Sequence, residues 1–265
     1  MAQTSPSHPL FDLRGKQALV TGGANGLGRM IVEGLLRAGA SVAFTSRKLE
    51  ACEKAVDELR DLGPCAAYAA DLSTPDSAGE LGRQFRERHS GLDILINNAG
   101  RTWAAPVESF ADKGWTSVLA INVQMPFRLV QEFLPDLEAS GRRAPPARIL
   151  NIGSIAGKVI EPLQAYSYGA SKAGLHHLSR QLAADLAERS ITVNTICPGY
   201  FPTSMTAHLQ GEEGTPSGML EGHIPLKRFG SPADIAGAVV FLCSRAGAYV
   251  TGTELVVDGG ITGCR

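Results

Sequence analysis

Tyr168 and Lys172, in the segment Tyr168-Gly-Ala-Ser-Lys172, are the two residues of this chain whose types and spacing point most directly to chemistry. Four positions apart on a helix, two side chains share a face. A free phenol titrates near ~10 and is a poor proton donor or acceptor at neutral pH. A cation one turn away favours the phenolate, so Lys172 is expected to draw the Tyr168 pKa down. Such a phenol can give a proton to a carbonyl oxygen as a hydride reaches the carbon, or accept one in the reverse direction. Ser154 ends the apolar run before this helix, where its hydroxyl could bond and orient the same oxygen.

Hydride chemistry needs a carrier, and the first third of the chain offers a place for one. The run Thr21-Gly-Gly-Ala-Asn-Gly-Leu-Gly28 follows a short apolar stretch and leads straight into a helical pattern. Gly22, Gly26 and Gly28 allow a tight turn and close approach of a pyrophosphate to bare backbone amides, and the helix N-terminus adds partial positive charge. The spacing is GxxxGxG and not the commoner GxGxxG. In dinucleotide folds the end of the second strand meets the adenosine ribose, with an acid for a 2′-OH and an Arg for a 2′-phosphate. Here that end reads Phe44-Thr45-Ser46-Arg47-Lys48, with no acid before Glu50. Arg47 can grip a phosphate in a bidentate way, which predicts NADP(H) over NAD(H).

The elements that must position these groups are legible as an alternation. Apolar runs at Ala18–Thr21, Ser41–Ser46, Leu92–Ile96, Arg148–Ile152, Thr192–Cys197 and Leu255–Val257 lack period-2 alternation, as parallel strands covered on both faces do. Helical patterns lie between them at Leu27–Ala38, Leu49–Leu62, Pro75–His89, Trp115–Ser140, Tyr168–Glu188 and Pro232–Cys243. Gly39 and Gly63 sit where helices should end. Ser231-Pro232-Ala233-Asp234 reads as an N-cap with Pro at the first helical position, and Thr74-Pro75-Asp76 repeats the pattern. This order predicts an α/β chain with one Rossmann-type doubly wound parallel sheet and helices on both faces. A ligand then belongs outside the carboxyl ends of the strands, where the residues above fall.

Composition narrows the classes. With 265 residues, 44% hydrophobic and 19% charged, the chain is too apolar for disorder, and 30 glycines without a triplet period exclude collagen. No apolar run approaches the ~20 residues of a membrane span. A net charge of -1 gives no reason to expect a nucleic-acid or membrane partner. Arg83, Arg86, Glu87 and Arg88 read as a solvated helix face. The cysteines at 52, 65, 197, 243 and 264 form no CxxC, which points to no metal site and to a reducing, cytoplasmic location. Residues 1–12 are expected to be a loose polar tail and not a signal peptide, followed by one catalytic domain over 13–265.

The motifs TGGANGLG, Asp71-Leu72, Asn97-Asn98-Ala99-Gly100, Asn122, Ser154, YGASK and Pro198-Gly199 occur in this order, and together they resemble the short-chain dehydrogenase/reductase family over residues 15–260. The resemblance implies Tyr168 as acid/base, Lys172 on the nicotinamide ribose and Ser154 on the carbonyl. It implies Asn122 as holder of a relay water and Asp71, with Leu72, at the adenine. Gly22, Ala24, Asn25, Gly26, Leu27 and Gly28 would cradle phosphates, with Ser46 and Arg47 at the ribose. Asn98, Ala99 and Gly100 would border the cofactor, and Pro198, Gly199, Phe201 and Thr203 would meet the nicotinamide. Relatives imply a homotetramer or homodimer built on the helices at 115–140 and 168–188.

One departure is visible: Ser154 and Tyr168 lie 14 positions apart, one more than is usual in the family. Tyr166 is nearby, but its partner four residues on is Ala170, so Tyr168 is the acid and Tyr166 a candidate for the substrate mouth. Trp103 and Tyr200 are further substrate candidates. The segment 200–229, rich in Gly, Pro and Met, suits a substrate loop lined by Phe201, Met205, Met219 and Leu220. Arg101, straight after NNAG, is the one candidate clamp for a substrate carboxylate. The combination NNAG-x-x-W, Tyr-x-Tyr-Gly-x-Ser-Lys and PGxFPT resembles bacterial reductases of 3-oxoacyl thioesters, including the rhamnolipid-precursor type. Sugar, sugar-acid and secondary-alcohol dehydrogenases remain the alternative, and a cofactor-binding regulator without catalysis a third. His176 and His177 are expected on a helix surface or subunit interface, and Cys197 as buried packing.

Overall fold

The computed structural model describes residues 8–264 apart from 144–145, 162, 205, 210, 212–215, 217–219 and 221. Met205 and Met219, expected in the substrate loop, lie outside the described residues, as do residues 1–7 of the expected tail. Residues 8–11 form a turn (Phe11 N–H to His8 O, 2.8 Å) pinned by the Ala246 N–H to Leu10 O at 3.0 Å, so this part of the tail is ordered against the body.

Fifteen segments carry the architecture: β1 (Gln17–Val20), α1 (Gly26–Arg37), β2 (Ser41–Ser46), α2 (Leu49–Leu59), β3 (Cys65–Ala69), α3 (Ser77–Arg86), β4 (Ile94–Asn97), α4 (Asp112–Leu119), a π turn (Ala120–Gln124), α5 (Met125–Gly141), β5 (Ala147–Ile152), α6 (Tyr166–Leu186), β6 (Ile191–Pro198), α7 (Pro232–Cys243) and β7 (Glu254–Val257). The strands form one seven-stranded sheet in the order β3-β2-β1-β4-β5-β6-β7. Every pairing is parallel. The strand order reverses between β1 and β4, so a crevice opens there beyond the strand ends.

Burial explains the unalternating runs. Every residue of β4, β5 and β6 is buried, because helices cover both faces. On one face Ile31, Leu35 and Val32 of α1 pack with Ile235 and Val239 of α7 over the sheet. On the other, Leu81 and Phe85 of α3, Leu129 and Phe133 of α5, and Leu182 and Leu186 of α6 do the same. The Phe85 and Phe133 rings meet edge to face at 5.3 Å. Arg83 pairs with Glu80 and Glu87, and Arg86 with Glu132 and Asp136, on the solvated side of α3.

The structure differs from expectation in four places. β3 has the sequence CAAYA and no β-branched residue, so composition hid it; it is an edge strand registered on β2 (Phe44 opposite Ala67). The pattern at 115–140 is two helices joined by a π turn. The Thr74-Pro75-Asp76 signal does not cap: α3 starts at Ser77 without a side-chain cap, and the Thr74 carbonyl instead accepts from the Ser77 hydroxyl at 2.7 Å. α6 opens at Tyr166, two residues before Tyr168. The Ser231 expectation holds, with a complete capping box between Ser231 and Asp234.

Candidate active site

The glycine-rich turn joins β1 to α1 and is bolted from both sides. The Gly22 N–H donates to Thr45 Oγ1 at 3.1 Å and the Gly23 N–H to the Thr45 carbonyl at 2.9 Å, both at the end of β2. From the end of β4, Asn98 Nδ2 donates to the Thr21 carbonyl at 2.8 Å and the Gly22 carbonyl at 3.2 Å. Gly28 is forced: a Cβ there would stand 2.1 Å from the Gly22 carbonyl oxygen and 2.5 Å from Asn98 Nδ2. Gly26 has φ +53, the left-handed region, as the chain swings into α1. Asn25 caps α1 with backbone only, and the first turn carries no acid. Its leading N–H groups therefore have no side-chain partner at the cap and face the crevice, as a phosphate site requires.

Two hollows share this turn. The larger, about 660 Å³, takes Ala24, Ser46, Arg47, Asp71 and Leu72 into its walls, with Gly22, Asn98, Ala99 and Gly100. Arg47 is exposed at its rim and makes no ion pair among the described residues. Asp71 carries its own constraint, accepting the Ser73 N–H at 3.0 Å. The smaller hollow, about 250 Å³, is walled by Gly26, Leu27 and Gly28 on one side and by Ser154, Tyr168 and Lys172 on the other. Pro198, Gly199, Phe201 and Thr203 close its third side. Asn25, Asn98, Gly100, Arg101 and Ser204 border both, so the two are one groove across the sheet's switch point. A hollow lined by bare amides and ending on an Arg and a Ser–Tyr–Lys set fits a phosphorylated dinucleotide.

The catalytic set is assembled by β5 and α6. Ser154 caps a short 3-10 turn after β5, its Oγ accepting the Ala156 N–H at 3.1 Å. Lys172 is buried and Nζ donates to the Ile152 carbonyl at 2.7 Å, with its charge 5.6 Å from the Tyr168 ring centre. The expected drawing-down of the Tyr168 phenol by Lys172 is not what this arrangement gives. Burial raises the Tyr168 pKa, and the hydrogen bond with Ser154 pulls it back. The cost of burial falls on Lys172 too, whose pKa is lowered to about 8.

Asn122 sits in the π turn between α4 and α5, 1% exposed and walling neither hollow. Its Oδ1 accepts the Arg101 N–H at 3.0 Å, while Nδ2 donates to the Arg101 carbonyl at 3.0 Å and to Ser171 Oγ at 2.9 Å. These bonds tie the stretch after Gly100 to α6. The π turn supplies this placement, a common use of such turns at functional sites.

Three substrate candidates stand elsewhere. Tyr200 is 8% exposed in an apolar cluster with Ile155, Leu220, Ile224 and Phe229, and its hydroxyl donates to Glu161. It walls a separate hollow of about 420 Å³ beside Leu226 and Arg228. Trp103 turns onto α4, where a Cβ on Gly114 would meet its ring at 2.7 Å. Tyr166, exposed at the start of α6, meets the Phe110 ring edge to face at 5.4 Å. His176, expected on the surface, is 3% exposed, whereas His177 is exposed. Cys197 is buried packing, its thiol pushed up to about 11 by burial. Arg101, Ser204, Thr206 and Ile152 also line the smaller hollow, and no local sequence signal marks the last three.

Comparison with known proteins adds to this geometry. A family model described as enoyl-(acyl carrier protein) reductase matches residues 22–262. A rhamnolipids biosynthesis 3-oxoacyl-[acyl-carrier-protein] reductase of Pseudomonas aeruginosa is 44% identical over 96% of this chain and 98% of its own. A gluconate 5-dehydrogenase of Gluconobacter oxydans is 36% identical over 97% of this chain and 98% of its own. Among solved structures, the Pseudomonas aeruginosa RhlG/NADP active-site complex superposes with a TM-score of 0.91 at 44% identity, covering 96% of this chain and 99% of that one.

Proposed function

Because this chain belongs to the short-chain dehydrogenase/reductase family, we propose that it is an NADP(H)-dependent oxidoreductase that reduces the ketone of a 3-oxoacyl thioester to a secondary alcohol. The observation that carries the reading is the placement of Ser154, Tyr168 and Lys172 on one wall of a hollow whose opposite wall is the phosphate-binding turn. The 44% identical relative, named for 3-oxoacyl reduction, supports the substrate class, and the NADP complex supports the cofactor.

When bound, NADPH supplies the hydride. Arg47 and Ser46 hold its 2′-phosphate, Asp71 and Leu72 its adenine end, and the amides of residues 24–28 its pyrophosphate. Pro198, Gly199, Phe201 and Thr203 wall the nicotinamide, and Lys172 holds the adjoining ribose. Ser154 Oγ donates to the ketone oxygen, which can only accept, while one of its own two lone pairs takes the Ala156 N–H. The Tyr168 hydroxyl then gives its proton to that oxygen as negative charge develops. Burial raises the Tyr168 pKa, which favours the protonated form that an acid in the reductive direction needs.

Five free cysteines fit a cytoplasmic protein, and no described helix is long and apolar enough to cross a membrane. Trp115 and Phe127, each 39% exposed on α4 and α5, fit a homotetramer or homodimer assembled through these helices. A second reading, an NAD(P)-linked sugar, sugar-acid or secondary-alcohol dehydrogenase, is favoured by the gluconate 5-dehydrogenase relative. The test compares NADPH oxidation with an acetoacetyl thioester against NAD(P) reduction with gluconate and polyols. Faster turnover of the thioester is expected. Turnover confined to polyols would replace the first reading with the second, and NADPH binding without any turnover would sink both.

A further inference from the structure

Beneath the Ser–Tyr–Lys wall lies a buried side chain that the reaction does not touch. His176 is on α6, one turn beyond Lys172, and its ring fills the space under the Gly153–Gly157 turn. A Cβ on Gly153 would stand 2.3 Å from its Nε2, and one on Gly157 2.7 Å from its Cε1. The Ser154 N–H donates to His176 Nε2 at 3.4 Å. On the far side, Nδ1 faces Glu254 Oε2 of β7 at 3.5 Å. Glu254 is itself held by Lys158, at 2.6 Å, and by Arg180.

An N–H pointing at Nε2 and a carboxylate facing Nδ1 permit one protonation pattern: a neutral ring with its proton on Nδ1. The surroundings agree. Burial lowers the His176 pKa to about 4 against the pull of Glu254, with Lys172, Lys158 and Arg180 adding to the lowering. The donor atoms of His176, Cys197 and Glu254 lie within 4.8 Å of one another. A cation there would compete with Lys158 and Arg180 for Glu254 and with the Ser154 N–H for Nε2. The cluster therefore reads as a hydrogen-bond chain. Cys197 Sγ, 3.5 Å from Nε2, is a neutral neighbour in it.

We propose that His176, oriented by Glu254, is a positioning residue for Ser154. Lys172 grips the Ile152 carbonyl and His176 the Ser154 N–H, so two rungs one helical turn apart fasten the end of β5 to α6. α6 also carries Tyr168, so the same helix sets the separation of the Ser154 and Tyr168 hydroxyls. A longer Ser154–Tyr168 connection leaves more chain to be fixed, and this rung fixes it at Ser154. The inference rests on the reading of Ser154 as the group that holds the ketone oxygen.

The test uses steady-state kinetics with NADPH and an acetoacetyl thioester on wild type, Ser154→Ala, His176→Leu, His176→Gln and the double variant His176→Leu/Ser154→Ala. A displaced reacting group costs up to ~100-fold in rate, so His176→Leu is expected to lower kcat by about ten- to a hundred-fold with KM for NADPH unchanged. His176→Gln, which can present an oxygen near the Nε2 position, should recover most of the loss. In the Ser154→Ala background, His176→Leu should lower kcat no further. An equal fall in both backgrounds, or a matching rise in KM for NADPH, overturns the positioning role. Full activity of Ser154→Ala would instead remove the reading of Ser154 on which it stands. A measurement on the unaltered protein guards against misfolded variants. Histidine ¹⁵N spectra should show His176 as the neutral Nδ1–H form at pH 7, and an Nε2–H form refutes the proposal.

Discussion

Replacing Arg47 by Asp tests the cofactor reading at its most exposed point. Arg47 stands at the end of β2 on the rim of the larger hollow and makes no ion pair among the described residues, so the substitution breaks no internal ion pair. A charge-assisted hydrogen bond to a phosphate is worth about 1.5–3 kcal/mol. Because Arg47 is exposed, the reversed charge adds only the ~1 kcal/mol that two unit charges exert in water at contact distance. The sum, about 2.5–4 kcal/mol, corresponds to a roughly sixty- to seven-hundred-fold rise in KM for NADPH at a tenfold change per 1.4 kcal/mol. NADH lacks the 2′-phosphate and loses neither contribution, while the new carboxylate can accept from its 2′-OH. The assay is initial-rate kinetics with both cofactors at fixed ionic strength, with thermal unfolding as a control for the fold. KM for NADPH should rise by that factor while KM for NADH stays level or falls. Equal changes in the two constants would show that Arg47 is only a solvated start to α2.

Tyr168→Phe keeps the ring and removes the proton, so kcat should fall about 10²–10⁴-fold while NADPH titration gives an unchanged Kd; near-normal turnover would dismiss Tyr168 as the acid. Lys172 titrates at about 8 when folded and at 10.5 when unfolded, so between these values the unfolded chain binds more protons and stability rises with pH. The unfolding free energy of wild type relative to Lys172→Met should therefore climb from pH 8 to 10.5 in denaturant melts, and a level difference would contradict the buried, neutralised lysine. Ser231→Ala breaks the capping box of α7 and should cost about 1 kcal/mol, read as a lower urea midpoint with kcat unchanged; no shift in midpoint would mean that the box adds nothing.

Much of the site could be read from the chain because its parts are short and local. The glycine turn, YGASK and Arg47 each need only a strand end and the next few residues to define them, and apolar runs marked most of those strand ends. Strand β3 escaped because an Ala-rich edge strand carries no branched signal, and the π turn because apolar period continues through it. Tyr200, a substrate candidate from the sequence, is buried against Ile155 and Phe229 instead. Asn122 and His176 acquired their partners from strands and loops far along the chain, at Arg101, Ser154 and Glu254. Proton affinities follow the same division. Sequence places a lysine one turn from a tyrosine and predicts an acidified phenol. The fold buries the lysine, which donates to the Ile152 carbonyl, and desolvates the phenol, whose pKa rises instead of falling. Spacing along a helix fixes which side chains are neighbours, whereas desolvation and long-range hydrogen bonds exist only once the sheet and helices have closed around them.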